Sequence, residues 1–345
     1  MNIAFVCNTL HGGGAERFTA NISNQFSKNN NYNVFVVTGA KSDNDYKLQE
    51  NVNREVFLTK KLITDVKRIL AFVKQNKIDS IVGIDIYPNF CVSLCAPFTK
   101  VKCIVSERNA PGQVSISNKS KILRWALYRF ADAFVFQTKG AQSFYSKSIQ
   151  KRSVVIHNPI KENLPEKSNV NNKEIVAVGR LMPQKNYPML LNAFAIVNKK
   201  YPDYILRIFG EGQELENLQK LAGSLGISQS VHFENFCSDV HAAIKDSSIF
   251  VMTSDYEGMP NALMEAMAMG FPVVSTDCPS GGPAELIEDG ENGLLCKVGD
   301  AEDCAEKIMR LIENGMLLEK ISSNAKEILN SHKLNTIMLD WSKVL

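Results

Sequence analysis

Glu174-Ile175-Val176-Ala177-Val178-Gly179-Arg180-Leu181-Met182-Pro183-Gln184-Lys185-Asn186 decides the fold. A short apolar run rich in β-branched residues ends on a glycine and a polar turn, and a helical pattern, Tyr187–Lys199, follows. That order is the opening of a βαβ unit. It is the second such opening in the chain. The first is Ile3–Cys7, with the turn Gly12–Gly14 and a helix from about Ala15 to Lys28. Between the two openings, strands are expected at Val34–Thr38, Ser80–Ile84, Lys102–Ser106, Ala133–Gln137 and Ser153–Ile156, with a helix at Leu62–Lys74. His157-Asn158-Pro159-Ile160 and the polar stretch to Lys173 read as a linker. Beyond Asn186 the pattern continues with strands at Tyr204–Phe209, Val231–Phe233, Ile249–Met252, Pro272–Ser275 and Gly293–Cys296 and a helix at Gln213–Leu225. Near-continuous apolar strands alternating with helices predict parallel sheets covered on both faces. The expected class is α/β: two doubly wound domains, 1–158 and 159–328, facing a cleft, with a last helix in 329–345 packing back on the first.

The 345 residues suffice for two ordinary domains, and 45% hydrophobic with 22% charged residues excludes disorder and a disulfide-stapled miniprotein. No window approaches 18 consecutive apolar residues, and the N-terminal run lacks the basic flank and cleavage site of a signal peptide. Eight cysteines contain no Cys-x-x-Cys pair, which argues against zinc and redox roles; a cytoplasmic chain with reduced, packed thiols is expected. The net charge of +3 conceals an asymmetry. Residues 1–160 hold 22 Lys+Arg against 10 Asp+Glu, and residues 161–345 hold 17 against 26, so +12 faces −9. The basic half suits an anionic partner such as a membrane surface, a phosphate-bearing acceptor or nucleic acid, or the difference is chance between two domains.

Three stretches carry chemistry. His11-Gly12-Gly13-Gly14-Ala15-Glu16-Arg17 follows a strand and opens a helix, where backbone can approach a phosphate; it is not Gly-x-Gly-x-x-Gly, and the next strand offers no acidic residue for a ribose. Arg180 and Lys185 place two cations on a strand-to-helix turn, suited to a diphosphate whose charge grows as it leaves. Ser254-Asp255-Tyr256-Glu257-Gly258-Met259-Pro260 reads as a turn, followed by a helix Asn261–Met269 that stops at Gly270. Glu257 then lies on the loop and Glu265 in the helix's second turn. Either carboxylate could accept vicinal hydroxyls of a sugar or be an ordinary solvated residue, while the backbone N–H groups near Asn261 and Ala262 can face a phosphate.

Glu257 and Glu265, with seven residues between them in Tyr-Glu-Gly-Met-Pro-Asn-Ala-Leu-Met-Glu-Ala-Met-Ala-Met-Gly, resemble the E-x7-E signature of retaining GT-B glycosyltransferases. Val-Gly-Arg-Leu with Gln-Lys-Asn, Phe209–Gly212, and Ser275-Thr-Asp-Cys-Pro-Ser-Gly-Gly-Pro-Ala-Glu285 fall in the order and spacing of glycosyltransferase family 4. The likeness extends to the N-terminal Gly-Gly-Gly-Ala-Glu-Arg, and Ser106-Glu107-Arg108-Asn109 resembles a subgroup found in surface-polysaccharide assembly.

The resemblance implies two Rossmann-like domains, an N-terminal acceptor domain and a C-terminal nucleotide-sugar domain. It implies that Arg180 and Lys185 bind the donor diphosphate, with Gly13 or Gly14 reaching it from the other domain. Glu265 would hold the nucleotide ribose and Glu257 the transferred sugar. Glu211, Asn261, Ala262 and Leu263 would join the donor site, and backbone near Phe236 and Cys237 would meet the base, commonly uracil. Many relatives carry a donor-contacting His after the fourth N-terminal strand, and Glu107 is the expected replacement; Asn235 stands where a Gly is common. The implied activity is retaining transfer of a hexose or N-acetylhexosamine from a UDP-sugar to a glycan acceptor, lipid-linked at the cytoplasmic membrane face, with no metal, no other cofactor and no nucleic acid. Rivals are a nucleotide-sugar epimerase and a nucleotide-sugar-binding protein without turnover. Ser120–Phe130 reads either as a basic aromatic helix on an anionic membrane, using Lys119, Lys121, Arg124, Arg129 and Trp125, or as a helix packed on the N-domain sheet.

Overall fold

A computed structural model describes residues 1–113, 117–168, 172–235, 237 and 239–345. The chain forms two units: Met1–Pro159 together with Leu334–Leu345, and Ile160–Lys333.

In the first unit, β1 (Asn2–Val6), β2 (Asn33–Thr38), β3 (Val52–Val56), β4 (Ser80–Ile84), β5 (Lys102–Glu107), β6 (Ala133–Phe136) and β7 (Ser153–Val155) make one sheet in the order β3-β2-β1-β4-β5-β6-β7. Every pairing is parallel; Phe5, for example, lies opposite Val36 on one side and Val82 on the other. β1 and β4 are buried almost throughout, as a central strand covered on both faces must be. β3 is absent from the strands expected from sequence because Val-Asn-Arg-Glu-Val is polar; it is the sheet's edge, and three of its residues reach solvent. The helix Ile86–Cys95 likewise had no amphipathic signal, since most of its residues are buried. The C-terminal helix Leu334–Val344 belongs to this unit. Its Trp341 is fully buried, 5.6 Å from the Phe18 ring and 6.5 Å from that of Phe5, and the Ser80 hydroxyl donates to the Leu345 carbonyl at 2.6 Å.

The second unit repeats the plan with β8 (Glu174–Val178), β9 (Ile205–Phe209), β10 (Val231–Glu234), β11 (Ile249–Met252), β12 (Val273–Thr276) and β13 (Leu294–Cys296), ordered β10-β9-β8-β11-β12-β13, all parallel. Leu190, Phe194, Leu206 and Ile308 fill one face, and Phe250, Leu263, Met267 and Phe271 the other. Counted within its own unit, each sheet runs 3-2-1-4-5-6, with a seventh strand at the end of the first sheet, the doubly wound order in which the direction of strand addition reverses between the first and fourth strands. The crevice at that reversal, outside the carboxyl ends of the strands, is where such sheets bind ligands. In the second unit it lies beyond β8 and β11.

Candidate active site

The loops after β8 and β11 meet at this reversal and are stitched together. Thr253 Oγ1 donates to the Lys185 and Asn186 carbonyls at 3.1 and 3.2 Å, and the Asp255 N–H donates to the Gln184 carbonyl at 2.9 Å. Asn186 Nδ2 reaches Asp255 Oδ1 at 2.6 Å, and Gln184 Nε2 reaches the Tyr256 carbonyl at 2.9 Å. Asn186 sits in the left-handed region (φ 46°, ψ 47°) and accepts from the Met189 N–H, starting the helix Tyr187–Lys200. Gly210 (φ +148°) lets β9 end against β8, because a Cβ there would collide with the Gly179 carbonyl. Gly282 is needed for the same reason against the Gly258 carbonyl.

This stitching brings two of the expected site residues into direct contact. Lys185 Nζ lies 2.6 Å from Glu257 Oε1, and Ser254 Oγ donates to the same oxygen at 2.7 Å. Ser254 is held in turn by Thr276, whose hydroxyl donates to its carbonyl at 2.6 Å. Glu257 is only 8% exposed, so it is a fixed group and not a solvated one. Arg180 is exposed and, among the described residues, enters no ion pair. The helix Asn261–Met269 begins just after this loop with Pro260 at its N-cap and no side-chain cap. Asn261 and Ala262 are half-buried there, whereas the Leu263 side chain lies in the core and has only backbone to offer. Glu265, one turn on, is buried. His241 Nε2 lies 2.9 Å from its Oε2, and Lys161 Nζ lies 3.4 Å from His241 Nδ1. The exposed Glu211 accepts from the Leu181 N–H at 2.8 Å through its carbonyl, so it borders the β8 loop. Cys237 is half-buried beyond β10, and Phe236 lies outside the described residues.

In the first unit, Gly13 caps the helix Gly14–Ser27 without a side-chain hydrogen bond. The terminus already faces an anion, because the Glu16 carboxylate folds over Gly13 into the space a Cβ would take. Glu107, at the end of β5, is 1% exposed and accepts at Oε2 from the Tyr145 and Tyr128 hydroxyls at 2.7 and 3.1 Å, while Oε1 is buried with no hydrogen-bond partner among the described residues. Burial, reinforced by the charge of Asp85 and opposed by Tyr145, pushes the carboxyl up to about 7. Asp85, absent from the expected site, ends β4 at φ 75° and ψ 173°, held by Asn109 Nδ2 at 2.8 Å, and burial raises its carboxyl too.

The helix in the stretch 120–130 spans Asn118–Tyr128, capped by Ser117, and the structure divides its cations. Arg124 is buried: it donates to the Pro111 carbonyl at 3.1 Å and lies over the Phe144 and Tyr145 rings. It therefore cannot face a membrane. Lys119, Lys121 and Arg129 are exposed beside Ile122 and Trp125, which are 67% and 78% exposed.

Comparison with known proteins agrees with this fold. Residues 160–328, almost all of the second unit, match the model of the family described as glycosyl transferases group 1. Over 99% of the chain and 98% of the relative, it is 28% identical to an uncharacterized glycosyltransferase of Haemophilus influenzae. It is 26% identical, over 100% and 98%, to the Campylobacter jejuni GalNAc-alpha-(1->4)-GalNAc-alpha-(1->3)-diNAcBac-PP-undecaprenol alpha-1,4-N-acetyl-D-galactosaminyltransferase. Anabaena HepE, solved in complex with UDP, superposes with a TM-score of 0.87 over 99% of both chains at 21% identity. The fold is of GT-B architecture, two parallel-sheet Rossmann-like domains, and the second of them is similar to the glycosyl transferases group 1.

Proposed function

We propose that the protein is a retaining enzyme of the glycosyltransferase family 4 type, moving a hexose or N-acetylhexosamine from a UDP-sugar to a hydroxyl of a glycan acceptor. The observation that carries this reading is the Lys185–Glu257 pair, fixed at 2.6 Å beside the exposed Arg180 and the uncapped helix terminus at Asn261. A carboxylate acceptor for sugar hydroxyls, two cations and the first N–H groups of a helix thus lie beyond the ends of β8 and β11, the set of groups that a nucleotide sugar needs.

In this reading Arg180, Lys185 and the N–H groups of Asn261 and Ala262 take the diphosphate, Glu257 a hydroxyl of the transferred sugar, and Glu265 the ribose. The anomeric C–O bond to phosphate breaks while the acceptor oxygen forms its bond on the same face, and the acceptor proton passes to a phosphate oxygen. Cations already in place stabilise the charge that grows on the departing diphosphate. A covalent route through Glu257 is disfavoured because Lys185 and Ser254 both engage its Oε1, which lowers its nucleophilicity. The two cations would also supply the neutralisation that a metal ion provides elsewhere. HepE's complex with UDP supports the uridine donor, and the undecaprenol-linked substrate in the Campylobacter relative's name supports a lipid-linked acceptor.

No helix among the described residues is long and apolar enough to cross a membrane. We place membrane contact on Lys119, Lys121, Ile122, Trp125 and Arg129, a cationic rim around exposed apolar side chains. Single-turnover assays with a panel of UDP- and GDP-sugars, in EDTA, test the central reading. Transfer with retained configuration from a UDP-sugar is expected. Absence of transfer from every UDP-sugar, or a requirement for added Mg²⁺ or Mn²⁺, would overturn the corresponding part.

A further inference from the structure

His241 was not singled out by the sequence, yet it is 6% exposed and bridges two charged groups. It sits on the short helix Val240–Ile244, whose start is fixed by the Asp239 side chain accepting from the Ala242 N–H. One ring nitrogen, Nε2, faces Glu265 Oε2 at 2.9 Å; the other, Nδ1, faces Lys161 Nζ at 3.4 Å. An ammonium has donors only. Lys161 can therefore bond to Nδ1 only if that nitrogen is an acceptor, which puts the single ring proton of a neutral imidazole on Nε2. The Nε2–H then donates to Glu265. A doubly protonated ring would turn an N–H toward the ammonium, so the lysine opposes that state.

We propose that Lys161 and His241 are positioning residues that hold the Glu265 carboxylate in one orientation for the nucleotide's ribose hydroxyls. The inference rests on the assignment of Glu265 to the ribose made above. Glu265 projects from the second turn of Asn261–Met269, the helix whose N-terminus would face the diphosphate. The distance between a nucleotide's phosphate and its ribose hydroxyls is fixed by covalent geometry, so a carboxylate on that helix discriminates riboses only if its own torsions are fixed. His241 provides that constraint from a second helix, and Lys161 selects the tautomer that can do so.

The test compares UDP with 2′,3′-dideoxy-UDP, which keeps base and diphosphate and lacks both ribose hydroxyls. Calorimetric affinities are measured for the wild type and for Glu265→Ala, His241→Ala, His241→Gln and Lys161→Met. His241→Ala is expected to weaken UDP about tenfold, the scale of a lost hydrogen bond to a charged group, and to leave the dideoxy analogue unchanged. Gln carries an N–H donor close to the place of Nε2–H, so His241→Gln should restore most of the preference for UDP; Lys161→Met should lose part of it. In transfer, His241→Ala should raise the donor KM more than it lowers kcat. Equal losses for both nucleotides in His241→Ala and His241→Gln would reduce the histidine to a packing role and overturn the inference. If Glu265→Ala itself leaves the UDP preference intact, the ribose assignment fails first; if it abolishes the preference and His241→Ala does not, only the present inference fails.

Discussion

Glu107→Gln should change how the stability of the first unit depends on pH. The carboxyl is enclosed by Tyr128 and Tyr145, with one oxygen unpartnered among the described residues, and burial lifts it from an ordinary 4.5 to about 7. A raised carboxyl means that the fold prefers the protonated form. Its contribution is fully present below pH 4.5, where both states are protonated, and is lost as pH rises through 7, because the unfolded chain ionises freely while the folded one resists. At about 1.4 kcal/mol per unit, the full change is on the order of 3 kcal/mol, roughly 2–3 kcal/mol of it between pH 5 and pH 8. Gln keeps the shape and cannot ionise. Its amide in place of the unpartnered oxygen costs about 1–3 kcal/mol, the same at every pH.

The assay is urea unfolding followed by tryptophan fluorescence. Both tryptophans of the chain, Trp125 and the fully buried Trp341, belong to the first unit, so the signal reports that unit alone. Asp85 is also raised by burial, but it is present in both proteins and largely cancels in their difference. The variant should be less stable than the wild type at pH 5, and the gap should close or reverse by pH 8. A gap that stays constant across this range would show Glu107 ionised throughout and refute the reasoning.

Arg180→Ala should lower transfer by roughly 10²-fold or more in a folded protein, as when one preorganised stabiliser of transition-state charge is removed, and rates near normal would exclude it from the site. Glu257→Gln should split binding from turnover: it releases Lys185 from its 2.6 Å ion pair, so calorimetry should show UDP bound at least as tightly, while transfer falls sharply. Unchanged turnover would remove Glu257 from the mechanism. Replacing Lys119, Lys121 and Arg129 with Gln and Trp125 with Ser should weaken flotation with anionic vesicles, more at low salt than at high, without altering UDP affinity; wild-type protein that fails to float, or a variant that floats equally well, would make this helix a structural element only.

Much of this arrangement is legible in the sequence because its determinants are local. A strand buried on both faces is a run of β-branched residues whatever surrounds it, and the reaction groups of an α/β sheet sit just beyond strand ends. Arg180, Lys185 and Glu257, the residues proposed for the donor, are therefore placed by locating Glu174–Val178 and Ile249–Met252 and reading on a few residues. The helix Asn261–Met269 has the bounds its Pro260 and Gly270 predict. Where an element's identity comes from its neighbours, local reading fails. The edge strand Val52–Val56 is set by pairing with β2 and not by its own polar sequence. Arg124 reads as one of four equivalent surface cations, and only the packing of Phe144, Tyr145 and the Pro111 carbonyl shows it turned inward.

Charge is the part of the site that sequence most misjudges, because motif residues are counted singly and they act in pairs. Two cations on the β8 turn suggest a surplus of two, yet Lys185 is already balanced by Glu257, 72 residues further on. The unpaired positive charge left there is Arg180, helped by the half-charge of a helix terminus. In the proposed function an arriving diphosphate would carry more negative charge than that and would compete with Glu257 for Lys185. With the ammonium turned to phosphate, Glu257 would keep the Ser254 hydroxyl and gain acceptor capacity for a sugar hydroxyl, so that diphosphate binding would ready the carboxylate. Glu265 is engaged differently, with His241 Nε2 2.9 Å from its Oε2, and under the inference above it would keep that partner when a nucleotide arrives. On this reading the two carboxylates of one motif would differ in kind: one would exchange partners on binding, and the other would be held fixed.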